Sequence, residues 1–302
     1  MIHYVKREDL EVLKYDACIE NALQSRVYAF SWYLDIVADN WDVLVLNNYE
    51  AVMPVPWKQK YFIKYAYQPL WILELGIFDS KNSLNLTPFL DKLCKEFKFA
   101  EFRLNSQNNF NFKKEYLADR QFQTLSLDKD YEFILDGYRK DRKKEVRKAT
   151  NLNLTEKWND NSEKLITLFK NNVGKRTPNI LEKDYRNLKK IIAICLQRKV
   201  GEILSIYDEN NNLVASGFFL KYQGSATILM SSTDFKNRKN GANTFLINSA
   251  ILQYQKNFNI FNFGGSSMQS VAEYFLSFGA NTQIYQQIKY NNLSFLLRLF
   301  KR

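Results

Sequence analysis

Thr227-Ile228-Leu229-Met230-Ser231, then Arg238-Lys239-Asn240-Gly241-Ala242-Asn243, then Phe245, Leu246, Ala250, Ile251 and Tyr254 follow one another in this chain. They read as an apolar strand, a basic loop with one glycine, and an amphipathic helix. In that order, backbone amides at the helix start are able to cradle a phosphate. Gly241 would permit close backbone approach, and Arg238 and Lys239 would add charge, with Asn240, Ala242 and Asn243 completing the loop. A plain turn with solvated basic residues fits the spacing equally well.

Upstream, Glu202–Tyr207 and Leu213–Lys221 are strands around the polar turn Asp208–Asn212, and Ser225–Ser231 is a third. After the Gly241 helix, which should run to about Lys256, come a strand at Asn259–Phe263, a helix at Met268–Phe278 and a closing strand at Thr282–Lys289. The first half repeats this order. It has a helix over Asp9–Leu23 and strands at Val43–Leu46 and Ala51–Trp57 around the Asn47-Asn48 turn. A third strand at Phe62–Tyr67, a helix from Thr87 (its N-cap) and Pro88 to about Lys98, and a strand at Ala100–Asn105 complete it. Pro54 and Pro56 predict an edge or bulged position for the Ala51–Trp57 strand. Few identical residues recur, so the repeat is one of pattern. The reading is two packed α/β (α+β) domains, 1–127 and 128–302, with the boundary near Leu127, each a mixed, mostly antiparallel sheet flanked by helices.

Composition sets limits on chemistry. The 302 residues are 46% hydrophobic and 15% aromatic, enough for two cores. Charges at Met1–Glu8 stand where a signal peptide needs an apolar run, and no window matches a membrane span, so the expectation is a cytoplasmic protein, with the inner membrane face as a further place of work. Cys18, Cys94 and Cys195 are scattered without metal or disulfide spacing, and no metal site is expected. The only histidine is His3, which argues against histidine-based triads and metal helices. The net charge of +11 favours an anionic partner.

Three segments carry a resemblance. Arg238-x-x-Gly241-Ala242-Asn243 resembles the pyrophosphate loop of the GNAT superfamily, R/Q-x-x-G-x-G/A, with Asn243 in place of the last small residue. Phe261-Asn262-Phe263-Gly264-Gly265-Ser266 and Val271-Ala272-Glu273-Tyr274-Phe275-Leu276-Ser277-Phe278-Gly279-Ala280 resemble the D-F-G-G-S and V-A-x-F-x-x-x-F-G-A elements of the FemAB-like branch of tandem GNAT proteins, with Asn262 for the aspartate. The basic run Tyr138–Ala149 resembles that branch's R-x-x-I-R-K-A helix. The resemblance spans residues 128–289, the first half matching in strand pattern alone.

It implies two GNAT-like units, the first without a cofactor. In the second, the strands at Thr227–Ser231 and Asn259–Phe263 would splay around the arm of an acyl-CoA or acetyl-CoA co-substrate. Its pyrophosphate would lie on residues 238–243, and an amide at Met230 or Ser231 would polarise the thioester. An amine acceptor, small or linked to a lipid or cell-wall precursor, would attack directly, contacting Lys175, Arg176, Gly264, Gly265 and Ser266. The position at which many GNAT enzymes place an acid tyrosine holds Phe275; Tyr274 beside it points about 100° away on a helix. Asp234 and Glu202 are candidate bases, against the reading of ordinary strand-end carboxylates.

Competing functions are a Fem-type transferase using aminoacyl-tRNA, favoured by the Arg139–Lys148 helix, and a non-catalytic GNAT-like binding protein, suited by Phe275 and Asn262. No helix-turn-helix or finger pattern supports DNA binding. The apolar, basic tail Leu293–Arg302 suggests a docked helix or a peripheral membrane contact.

Overall fold

The computed structural model describes residues 1–60, 62–80, 85–108, 112–177, 179–265 and 268–294, without side chains at 237–239. Ser266 and most of the 293–302 tail therefore lie outside the described residues. Two compact units form, Met1–Arg120 with Ile284–Arg302, and Gln121–Gln283.

The first unit holds β1 (Ile2–Lys6), α1 (Val12–Asn21), α2 (Ser31–Val37), β2 (Asn40–Leu46), β3 (Ala51–Lys60), β4 (Ile63–Tyr67), β5 (Phe78–Asp79), α3 (Thr87–Glu96) and β6 (Phe99–Arg103). Its sheet runs β1-β2-β3-β4-β6 and is closed by the C-terminal strand β13 (Asn281–Asn291), whose residues Gln287–Asn291 pair antiparallel with β6. A single boundary near Leu127, as the sequence pattern suggests, would leave this strand in the second unit. Without it, the ladder groups of β6 on that side would stand unpaired. The helix α3 begins at Thr87 itself, without a side-chain cap, and Pro88 occupies its first turn, where a missing N–H costs nothing.

The prolines of β3 find a different solution from the expected edge strand. Along one side, Ala51–Trp57 pairs fully with β2. Along the other, β5 pairs with Ala51 and Val52 and β4 with Trp57–Lys60. Pro54 and Pro56 fall in the interval between those partners, so a central strand is locally an edge where its N–H groups are missing.

The second unit holds the end of β7 (Leu117–Ser126), then α4 (Tyr131–Asp136), α5 (Lys140–Asn151), β8 (Thr155–Trp158), α6 (Ser162–Asn171), α7 (Glu182–Gln197), β9 (Gly201–Tyr207), β10 (Leu213–Tyr222), β11 (Ser225–Thr233), α8 (Ala242–Tyr254), β12 (Ile260–Asn262) and α9 (Gln269–Leu276). Its sheet order is β7-β12-β11-β10-β9-β8, antiparallel except for β11–β12. Alternation sorts the faces. Leu204, Ile206, Phe219, Ala226 and Ile228 share a core with Leu246, Ile247, Ala250 and Ile251 of α8. The alternate residues Ile203 and Phe218 are fully buried outside that core, and α6 and α7 pack on β9–β11. Asn161 caps α6 by accepting from Glu163 N at 2.8 Å.

Strand β11 is irregular on both of its sides. Its parallel ladder with β12 comprises Ser225–Thr227 opposite Ile260–Asn262 and ends there. Against β10 the register slips between Phe218, opposite Met230, and Phe219, opposite Ile228, so Leu229 is an extra residue. This bulge reverses the facing of everything beyond it. Ala226 and Ile228 join the α8 core, while Thr233 reaches α8 and Ser232 turns its hydroxyl to Leu168 O of α6.

Phe261, fully buried, packs its ring on Phe219, Tyr254 and Phe263 at centroid distances of 6.2, 6.4 and 5.0 Å. Phe261→Ala should cost about 3–5 kcal/mol in urea unfolding of the whole chain. A loss below about 1 kcal/mol would mean that this aromatic cluster does not anchor β12.

Candidate functional site

The start of α8 is the pivot of the second unit. Gly241 adopts φ +82°, and a Cβ there would lie 2.8 Å from the carbonyl oxygen of Glu145 in α5 and 3.7 Å from the Cβ of Ala149. The glycine is therefore required by the backbone turn and by an adjacent helix. Asn240 Oδ1 accepts from Ala242 N at 2.9 Å, which satisfies one of the first amides of α8 within the chain.

Around this contact lies a buried polar cluster. Arg142, 8% exposed, donates to Glu145 Oε2 at 2.6 Å, to Thr244 Oγ1 at 2.9 Å and to Asp141 Oδ2 at 3.2 Å. Its guanidinium lies 4.8 Å from the Tyr274 ring centroid. The Thr244 hydroxyl donates to Glu145, so it accepts from Tyr274 Oη, 3.1 Å away. Asn243 Nδ2 donates to Tyr274 Oη at 3.0 Å, and Asn243 Oδ1 accepts from Thr233 Oγ1 at 3.1 Å. Burial pushes the Tyr274 hydroxyl up to about 12, against the lowering effect of Thr244, Arg142 and Asn243. Its proton is committed to Thr244 and its lone pair to Asn243. Asn243, the departure from the loop pattern, links the end of β11 to α9.

The sequence candidates distribute over three places. Glu202 sits at the start of β9, accepting from Tyr254 Oη at 3.0 Å and pairing with Lys221 at 3.4 Å, away from the carboxyl end of β11. Met230 and Ser231 lie on β11 beyond the last β12 pair, beside the opening. Gly264 and Gly265 follow β12 with φ of +81° and +73°, and Gly264 N donates to Asn262 Oδ1 at 2.9 Å. The amide oxygen of Asn262 thus serves this turn as an aspartate oxygen would. Phe275 packs its ring 4.9 Å from that of Phe263.

Asp234 and Lys175 come together in an open groove of about 890 Å³ between α6, the Asn211–Leu213 turn and residues 234–236. Arg176 stands beside it with its guanidinium 4.0 Å from the Phe235 ring centroid. Asp234 Oδ1 accepts from Lys236 N at 3.2 Å. On the groove wall, Tyr207 Oη accepts from Lys164 at 2.9 Å and donates to Asp160 Oδ2 at 2.5 Å. Burial works against ionisation of Asp160, but hydrogen bonds from Tyr207, the Asn161 amide, Lys157 and Ser205 outweigh it and hold the carboxyl at about 2. Neither Met230 nor Ser231 lines this groove; Ser231 and Asp234 are three residue steps apart, roughly 10 Å along extended chain.

Arg142, expected within the Arg139–Lys148 helix to face tRNA, is instead buried and paired with Glu145, and Thr244 is not among the sequence candidates. Arg142, Glu145 and Ala149 share the 3-4 spacing of one face of α5, with Tyr138 buried just before its N-cap, and that spacing carries the signal. On the other side of α5, Lys140, Lys144 and Arg147 are exposed and make no hydrogen bond or ion pair among the described residues, whereas Lys143 pairs with Asp136 at 3.1 Å and Arg139 with Asp141 at 2.6 Å. Among the described residues, no group of three or more His, Cys, Asp or Glu is placed to hold a metal, and no helix is long and apolar enough to cross a membrane.

This architecture is shared by solved structures along nearly the whole chain. The crystal structure of FemX superposes with a TM-score of 0.67 at 10% identity, covering 97% of this chain and 98% of that one. L-PGS from Bacillus licheniformis gives 0.58 at 11% identity, covering 95% and 94%, and a tandem GNAT protein from the clavulanic acid biosynthesis pathway gives 0.54 at 10%, covering 97% and 100%. No family model and no curated protein matches the sequence. The fold is FemAB-like and GNAT-like, as in FemX and the tandem GNAT protein.

Gly241→Ala should lose about 2–4 kcal/mol in urea unfolding, from the left-handed turn and the Glu145 contact together; an unchanged midpoint would remove α5 from the loop. Asp160 is depressed from 3.8 to about 2, so its contribution is complete above pH 3.8 and is lost as pH falls through about 2. Relative to Asp160→Asn, the native chain should lead by on the order of 2 kcal/mol at about pH 6, with that lead vanishing near pH 2.

Proposed function

We propose that this chain is a Fem-type transferase, which moves an aminoacyl group from an RNA carrier to an amine acceptor. The supporting observation is the start of α8, where a thioester cofactor's pyrophosphate would have to sit. Glu145 and Arg142 of α5 already serve that helix end, and the Glu145 carboxylate reaches Thr244 in its first turn. Glu145, ion-paired with Arg142, already complements the positive end of the helix dipole, which leaves little uncompensated charge there for a second anion. The acyl-CoA reading needs the same space.

Meanwhile, among the described residues, the ladder of β11 with β12 ends at Thr227, leaving the backbone near Met230 and Ser231 for a carbonyl to be polarised. There the acceptor amine attacks the ester carbonyl carbon. The oxyanion accepts a backbone N–H, the bond to the carrier's ribose oxygen breaks, and the amine's proton ends on that oxygen. No histidine is required. Lys140, Lys144 and Arg147, without an ion pair among the described residues, form a cationic line of the kind a phosphate backbone meets. FemX, the solved structure with the TM-score of 0.67, is in keeping with this reading.

Calorimetry separates the alternatives. Acetyl-CoA should give no saturable heat, while tRNA should bind and weaken with added salt. Lys140→Gln/Lys144→Gln/Arg147→Gln should weaken tRNA binding at least about tenfold and reduce the logarithmic salt slope by about 2–3. Saturable acetyl-CoA binding would restore the acyl-CoA assignment. Binding of neither donor would leave a non-catalytic protein.

A further inference from the structure

The groove beside α6 has an electrostatic character that the reaction alone does not explain. Its charged lining consists of Glu163, Lys164, Lys175, Asp234 and Lys236. Glu163 is paired with Lys189, and Lys164 is engaged by Tyr207. Asp234 is held at the backbone of Lys236. The ammonium groups of Lys175 and Lys236 are both exposed and have no partner among the described residues. With Glu163 matched by Lys189, the lining carries the ammonium groups of Lys164, Lys175 and Lys236 against the carboxylate of Asp234, with the exposed amides of Asn171 and Asn211 beside them. The lining is therefore net positive, and Lys175 and Lys236, exposed and without an ion pair among the described residues, are its accessible cations.

Position adds the second constraint. The open edge of β11 at Ser231 and the groove at Asp234 are separated by roughly 10 Å of extended strand. A molecule seated in the groove would have to extend by that length to present an amine at the opening.

We propose that the groove is the tail-binding subsite of the acceptor, which is an amine carrying a carboxylate or phosphate about 10 Å away, the anion being held between Lys175 and Lys236. This rests on the transferase reading and deepens it by naming the acceptor class. Asp234 then lies along the acceptor's path, not at the reacting carbon.

The test uses the full chain without any donor, so it is independent of whether RNA or acetyl-CoA binds. 8-Aminooctanoate, 8-aminooctyl phosphate and the uncharged-tail 8-aminooctanamide are titrated by NMR, following the side-chain amides of Asn171 and Asn211. Both anionic probes should bind at least about tenfold more tightly than the amide, and the tighter of the two identifies the tail as carboxylate or phosphate. Lys175→Gln/Lys236→Gln should abolish that preference while leaving the circular dichroism melt unchanged, since both side chains are solvent-facing. Equal affinity for the amide, or a double variant within about twofold of the native chain, would overturn the proposal. Failure of tRNA binding with this preference intact would overturn the donor assignment alone.

Discussion

A carbonyl oxygen of α5 lies 2.8 Å from the place a side chain on Gly241 would begin, and the chemistry of the second unit is arranged around that closeness. Because α5 comes so near, Arg142 is buried and must be neutralised, which Asp141 and Glu145 do. Because Glu145 is then fixed, the Thr244 hydroxyl can donate to it and accept from Tyr274. Asn243 completes the chain by joining Tyr274 to Thr233 at the end of β11. A helix, a strand end and the helix after β12 are tied through side chains where the resemblance implies an exogenous phosphate.

Much of the fold is legible in the sequence because its signals are local. The strands expected at Glu202–Tyr207 and Leu213–Lys221, with the turn between them, show the apolar, β-branched and aromatic runs of a ladder buried on both faces, and the structure places strands at Gly201–Tyr207 and Leu213–Tyr222. The pairing of β13 is not legible. A strand's pattern tells which face is buried but not which neighbour it joins, so Thr282–Lys289 reads as closing its own half. The same limit applies to Pro54 and Pro56, whose tolerance depends on where β4 and β5 stop along β3.

The site divides along similar lines. That residues near Gly241 form a strand-loop-helix turn is readable, since an αL glycine before an apolar helix is a local requirement. What the glycine faces is not, because Glu145 is 96 residues upstream in numbering and its role is expressed through a backbone oxygen that no sequence pattern records. Arg142 reads with its charged neighbours as solvated, although Tyr138 and Ala149 mark its face as the apolar one. Charge runs conceal such residues: the same residue type serves the buried pair and the exposed line, and only helical phase distinguishes them.

That division of α5 into two faces ties the fold to the chemistry. One face neutralises itself: Arg142 is matched by Asp141 and Glu145, and its first-turn partner Thr244 fixes α8. The other face, with Lys140, Lys144 and Arg147 spaced over about two helical turns, is left with an uncompensated charge that costs little in water but gains strongly on meeting a polyanion. One packed face and one solvated, charged face is what a surface helix of a globular unit ordinarily shows. Under the proposed transfer, the same helix would brace the Gly241 turn from within and meet the RNA carrier from outside.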